Sequence, residues 1–122
     1  MQTLLDASAV LRYLLEDDQG QADEVASAIE RGAEVTVEVL AECVYVLGDV
    51  YGVPRSGIAE SLGLLLGEVT CRRKGVALAA LGLFSGSSYD FVDCVLAAEH
   101  DVCHRNVLAF DDELASLLRM VE

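Results

Sequence analysis

Thr3-Leu4-Leu5-Asp6-Ala7-Ser8-Ala9-Val10-Leu11 reads as a short buried strand that runs into an acid and then, at once, a helix. A strand followed directly by a helix belongs to a parallel sheet, whose carboxyl ends line the ligand crevice, so Asp6 is expected at such an end. The same order of hydrophobic run, acid and helix returns at Leu108-Ala109-Phe110-Asp111-Asp112. Two more acids, Glu42 and Asp93, fall inside strongly apolar helical patterns. Asp6, Glu42, Asp93 and Asp111 are expected to converge and hold a divalent metal ion.

Between these landmarks, Val10, Leu11, Leu14 and Leu15 share one face of a helix over 7–16, which Asp17-Asp18-Gln19-Gly20 breaks. A second helix is predicted over 21–31, capped by Gly32, then a strand over 34–37. The helix over 39–51 is apolar nearly all round and is expected to be buried on several sides. Gly52-Val53-Pro54 stops it, and a helix over 56–66 starts from a serine cap. Glu68-Val69-Thr70-Cys71 reads as a strand and Arg72-Arg73-Lys74-Gly75 as a basic turn. Helices over 76–84 and 90–100 flank the small polar loop Ser85-Gly86-Ser87-Ser88. A strand over 106–109, a helix over 112–118 and a closing strand at 120–121 complete the pattern. The alternation predicts one α/β domain over 1–122, with a mainly parallel sheet of about five strands covered on both faces.

The formal net charge is −13, and Lys74 is the only lysine. A coat for nucleic acid is excluded, because nonspecific affinity comes from lysine and arginine neutralising phosphates. Hydrophobic residues make up 53% of the chain and the mean hydropathy is +0.40, which suggests apolar surface kept for a partner. Cysteines 43, 71, 94 and 103 follow no disulfide framework, as befits a reducing compartment. No basic leader precedes Asp6, and the longest apolar stretch, Gly75 to Phe84, is about half the ~20 residues a membrane span needs. A cytoplasmic, soluble protein is expected.

Each aspartate also has an ordinary structural reading. Asp6 could simply end a strand, Asp111 or Asp112 could cap the last helix, and Asp90 could cap the helix that carries Asp93. Glu42 and Asp93 are less easily accounted for, since acids in apolar helices are seldom buried unless paired or bound to metal. Two acids aimed inward repel each other without a cation, and carboxylate oxygens suit Mg²⁺ or Mn²⁺.

Leu4-Leu5-Asp6-Ala7-Ser8, Val39-Leu40-Ala41-Glu42, Tyr89-Asp90-Phe91-Val92-Asp93 and Leu108-Ala109-Phe110-Asp111 resemble, in order and separation, the four acidic motifs of PIN-domain nucleases. The chain length and the helix around Glu42 resemble the VapC-type toxin ribonucleases of toxin–antitoxin pairs. The resemblance implies a Rossmann-like three-layer α/β/α sandwich and a metal-dependent endoribonuclease that leaves a 3′-hydroxyl and a 5′-phosphate. Asp6 and Asp93 would bind the metal directly, while Glu42 and Asp111 would complete the site directly or through water. Ser8 would orient Asp6, and Asp90 would support the site or cap its helix. Arg12 and Arg105 are candidate RNA contacts, with an Arg12–Asp17 ion pair the alternative for the first.

The resemblance further implies an antitoxin over the acidic pocket and a homodimer through Tyr45, Val46, Val50 and Tyr51 near Leu62 and Leu65. Two departures stand out. Ala109 and Phe110 occupy positions where relatives carry threonine or serine, and the 101–106 turn lacks the usual glycine. A catalytically silent PIN-fold interaction module is the competing reading.

Overall fold

The computed structural model describes residues 2–122. In chain order the elements are β1 (Thr3–Leu4), α1 (Ala7–Leu15), α2 (Gln19–Glu30), β2 (Ala33–Glu34), α3 (Val37–Asp49), α4 (Arg55–Leu66), α5 (Lys74–Ser85), α6 (Phe91–Cys103) and α7 (Asp112–Val121). Helices therefore dominate, and the expected five-stranded α/β/α sandwich is not what forms. The sheet has two parallel strands, pairing Thr3 with Ala33 and Leu4 with Glu34.

Each expected strand that is missing has a local cause. Within 68–71 only Thr70 joins the sheet, by one bridge: its N–H donates to the Ala33 carbonyl and its carbonyl accepts from Val35 N–H, both at 2.9 Å. Val69 and Cys71 on either side are buried, but the helix-forming Lys74 turn follows at once and leaves no room for a longer strand. Residues 106–109 stay outside any sheet, with Leu108 85% exposed, because a two-residue β1 offers too short an edge to pair with. Met120 and Val121 lie in α7 instead of closing the sheet. The 3.6-residue stripe Leu114, Leu117, Leu118, Val121 continues through them, and helical periodicity prevails.

The helices start and stop mostly on capping chemistry. Asp6, Asp18, Thr36 and Asp111 each accept a backbone N–H at a helix N-terminus through their side chains. Asp18 thereby starts α2 within the stretch expected to be a break, and Gly20 is helical. Helix α4 opens from Pro54, not from a serine, and has no side-chain cap. Gly32 has φ 102° just past α2, a conformation that excludes a side chain without strain and turns the chain into β2.

One core runs through the domain. Leu40, Cys43, Val44 and Leu47 form the buried stripe of α3 and meet Val10 and Leu11 of α1, Ile58, Leu62 and Leu65 of α4, and Ala97 and Ala98 of α6. The opposite face of α3, with Glu38, Glu42, Tyr45 and Asp49, is exposed, so this helix is not enclosed on several sides. Leu62 and Leu65 belong to the core and add nothing to a surface face.

Two polar ties lock the helices together. Glu99, buried in α6, accepts from Arg73 at 2.6 Å and from Arg105 at 3.2 Å, and both guanidinium groups hold its carboxyl below the usual range. Arg55 at the start of α4 lies over the Phe84 ring, 3.6 Å from its centroid. Its Nε donates to the Phe84 carbonyl at 2.8 Å, and a second nitrogen donates to the Tyr89 carbonyl. The loop between α5 and α6 is thus pinned from α4. Among the described residues no helix is long and apolar enough to cross a membrane.

Truncating the fully buried Leu40 to alanine should cost about 2–5 kcal/mol of stability by transfer and cavity terms together. The same truncation at Leu64, also helical but 67% exposed, should change it by less than about 0.5 kcal/mol. Urea unfolding of the two variants separates these outcomes, and comparable losses would contradict this placement of the core.

Candidate functional site

Asp6 stands at the N-terminus of α1, where the strand turns into the helix. Its Oδ1 accepts from Ala9 N–H and from Ser8 Oγ, both at 2.8 Å. The backbone bond above all, and then the Ser8 bond, lowers its pKa and keeps the carboxylate charged. Its second oxygen is left free of these bonds. One side chain therefore serves as helix cap while still presenting an acceptor oxygen.

Glu42 sits on the exposed face of α3, which corrects its expected burial in an all-apolar helix. The sequence places Val39, Ala41, Val44 and Val46 around it, but Leu40, Cys43, Val44 and Leu47 draw the helix to the core from one side. Cys43 has its pKa pushed up to about 12, chiefly by burial and then by the charges of Glu42 and Asp6. The thiol stays protonated and is no nucleophile.

Asp93 is half-buried in the first turn of α6. Its pKa is raised, first by desolvation and then by the charges of Asp111, Asp90 and Glu113. Asp111 reaches this group from the N-terminus of α7, where its Oδ1 also accepts from Glu113 N–H at 2.9 Å. Asp90 holds the N-cap position of α6, yet its side chain makes no capping bond there. Asp93 thus feels acids from two helix N-termini, and Glu113 is the one among them that sequence reasoning did not single out. Its signal was available, since an acid two residues after a capping aspartate must share that aspartate's surroundings.

The quartet is therefore arranged as two pairs: Asp6 with Glu42 around Cys43, and Asp93 with Asp111. Helix α3 packs against both α1 and α6 and lies between them. Among the described residues no three histidine, cysteine or acidic side chains are placed to hold one metal ion. The donor chemistry itself suits a hard cation. All the gathered groups are carboxylates, and Asp93 is crowded by like charge.

The two candidate RNA contacts are engaged elsewhere. Arg12 donates to both oxygens of Asp17 at 3.0 and 3.1 Å, and Arg105 pairs with Glu99. Arg73 also lies 3.9 Å from Glu38, and Arg72 pairs with Glu34 at 3.3 Å. The basic run over 72–74 is thus paired within the chain, Arg72 at the surface and Lys74 donating to the Val69 carbonyl.

Compared with protein-family models, curated proteins and solved structures, the chain matches none.

The raised pKa of Asp93 carries a stability consequence of definite sign. Its carboxyl holds a proton to higher pH when folded than when unfolded. Folding therefore loses stability as pH rises through the ordinary carboxylate range, near pH 4, and on through the folded pKa. In EDTA at pH 7, Asp93→Asn should unfold at a higher temperature than the natural protein. The difference should vanish below roughly pH 4, where the natural side chain is protonated in both states. Thermal unfolding across pH measures it, and a variant less stable at pH 7 would show that Asp93 is not under repulsion.

Proposed function

We propose that the protein is a metal-dependent endoribonuclease that hydrolyses RNA phosphodiester bonds, acting as the toxin of a type II toxin–antitoxin pair. The observation that supports it most is the half-buried Asp93, whose carboxyl is pushed up first by desolvation and then by the charges of Asp111, Asp90 and Glu113. A cation bound at Asp93 would relieve both the burial of its charge and the repulsion from its acidic neighbours. The order of the four acidic motifs, which resembles that of PIN-domain nucleases, supplies the reaction class.

In this reading Asp6 and Asp93 bind Mg²⁺ or Mn²⁺, and Glu42 and Asp111 complete the site directly or through water. The bound ion supplies a water of lowered pKa and neutralises charge on the phosphate. The chain's own contribution is positioning. Ser8 and Ala9 hold Asp6 ionised and fixed, and Asp90 and Glu113 add negative field around Asp93. Exposed Glu42 would complete the site with the rotamer freedom of a surface side chain.

RNA would be met chiefly through the metal, since the net charge is −13 and Arg12 and Arg105 are already paired. Loosening either ion pair would free a guanidinium for a phosphate. The reading brings with it a cationic antitoxin over the acids, self-association through Tyr45, Val46, Val50 and Tyr51 on and just past α3, and a cytoplasmic setting.

Purified protein incubated with mixed tRNA and rRNA should cleave in Mn²⁺ or Mg²⁺ and not in EDTA. An Asp6→Asn, Asp93→Asn double variant should lose about a hundredfold or more in rate, as removal of several kcal/mol of metal-borne stabilisation implies. Folded, partner-free protein that neither cleaves nor binds Mn²⁺ in a direct titration would overturn the reading.

A further inference from the structure

Arg31 ends α2 and is exposed. Among the described residues its guanidinium has no carboxylate within ion-pair distance, in contrast to those of Arg12, Arg72, Arg73 and Arg105. It also lines a groove of about 480 Å³ between β1 and α2 that Asp6 lines too. A free cation and an acid of the candidate site therefore share one cleft.

One wall of the groove is the run from Thr3 to Asp6, and the other is the α2 stripe Glu24, Ala28 and Arg31. These three recur at i, i+4 and i+7, which places them on one face of the helix. The walls match in length: three strand steps span about 10 Å, and seven helical residues also rise about 10 Å. Their direction is fixed by Thr3 N–H, which donates to the carbonyl of Gly32, the residue after Arg31. Arg31 thus stands at the Thr3 end. Glu24 stands at the Asp6 end, where it also lines a smaller hollow with Ser8 and Ala9. Leu4, 65% exposed, lies between the two ends.

Such polarity selects an occupant. A cationic segment would be held at the acids and repelled at Arg31. A strand of phosphates, one of them neutralised by metal at Asp6, is met at both ends. The separation of about 10 Å corresponds to about three steps of a stacked strand at ~3.4 Å each, and to fewer in an unstacked one.

We propose that Arg31 binds a backbone phosphate of single-stranded RNA about one to three nucleotides from the bond that is cut, with the strand lying along the β1–α2 groove over Leu4. The guanidinium fork suits two phosphate oxygens at once, and such a contact fixes the register of the strand without reading its sequence. Arg31 takes no part in bond cleavage. The proposal rests on the nuclease reading for its substrate and for the metal at Asp6, and adds the path of the strand.

Two measurements test it. Cleavage of mixed tRNA and rRNA in Mn²⁺ is followed against RNA concentration. Fluorescence anisotropy of a short fluorescein-labelled RNA of mixed sequence measures binding in Mn²⁺, with the Arg31 variants placed in an Asp93→Asn background to prevent cutting. Arg31→Gln should raise the half-saturating RNA concentration about tenfold and leave the saturated rate within about twofold. The slope of log affinity against log salt should become shallower by about 0.7, the share of one phosphate contact on a single strand. Arg31→Lys should keep that slope and recover part of the affinity, because it retains the charge and loses the fork. Arg119→Gln removes another exposed arginine, on α7, and should change neither quantity. All three variants should melt with the natural protein, as surface substitutions do.

Half-saturation and slope unchanged in Arg31→Gln, with cleavage intact, would overturn the proposal and leave the nuclease reading standing. A lower melting temperature and saturated rate with the slope unchanged would also overturn it, reducing Arg31 to a cation that favours the carboxyl end of α2. An equal loss in Arg119→Gln would assign the effect to overall charge and do the same. RNA bound through Arg31 but left uncut by the natural protein would keep the groove and sink the nuclease reading. Natural protein that binds no RNA would overturn both.

Discussion

Burial of one stripe of α3, from Leu40 through Cys43 and Val44 to Leu47, constrains the rest of the domain. The stripe is covered by α1, by α4, which follows the Pro54 turn, and by α6. That closure sets α1 and α6 against the same helix, while Asp6 and Asp93 stand at their two beginnings. The acids follow from a hydrophobic requirement. They lie at helix beginnings, where an aspartate is favoured by unpaired N–H groups and by the helix dipole in any case.

This double use explains why the candidate site was legible in outline and not in detail. The Asp6 cap, the Asp111 cap and the position of Asp93 in the first turn of its helix could be read from residue order, because capping is local chemistry. The exposure of Glu42 could not. Its neighbours in sequence are apolar, but whether a helix is covered on one side or on several depends on what the remaining chain can bring to it. Here Glu38, Tyr45 and Asp49 share the uncovered side with Glu42. The sheet was overestimated for a related reason. Short apolar runs such as 68–71 and 106–109 carry strand propensity, but a strand exists only where a neighbour offers an edge of matching length. With two residues in each of β1 and β2, that edge is absent for Leu108 and nearly so for Thr70.

Charge is distributed unevenly in its effects. Five of the arginine and lysine side chains, Arg12, Arg55, Arg73, Lys74 and Arg105, accept fixed duties to carboxylates or carbonyls within the fold. What remains toward solvent is strongly negative. A partner that approaches the acids is selected first by its sign, before shape is tested, because a field that repels bare phosphate attracts cationic groups.

The small sheet has a bearing on how the molecule comes together. Helix pairs adjacent in sequence, α1 with α2, α4 with α5 and α5 with α6, can form from short loops with little entropy lost in closure. The bonds from Thr3 and Leu5 to Gly32 and Glu34, and from Ala33 and Val35 to Thr70, instead tie backbone segments separated by whole helical hairpins. A chain so dominated by local contacts belongs among fast folders, and its slowest conformational search is the one that aligns those three strand segments. The hairpins can assemble early and independently. The Asp6 turn, suspended from β1, acquires its final position only when that last alignment is made.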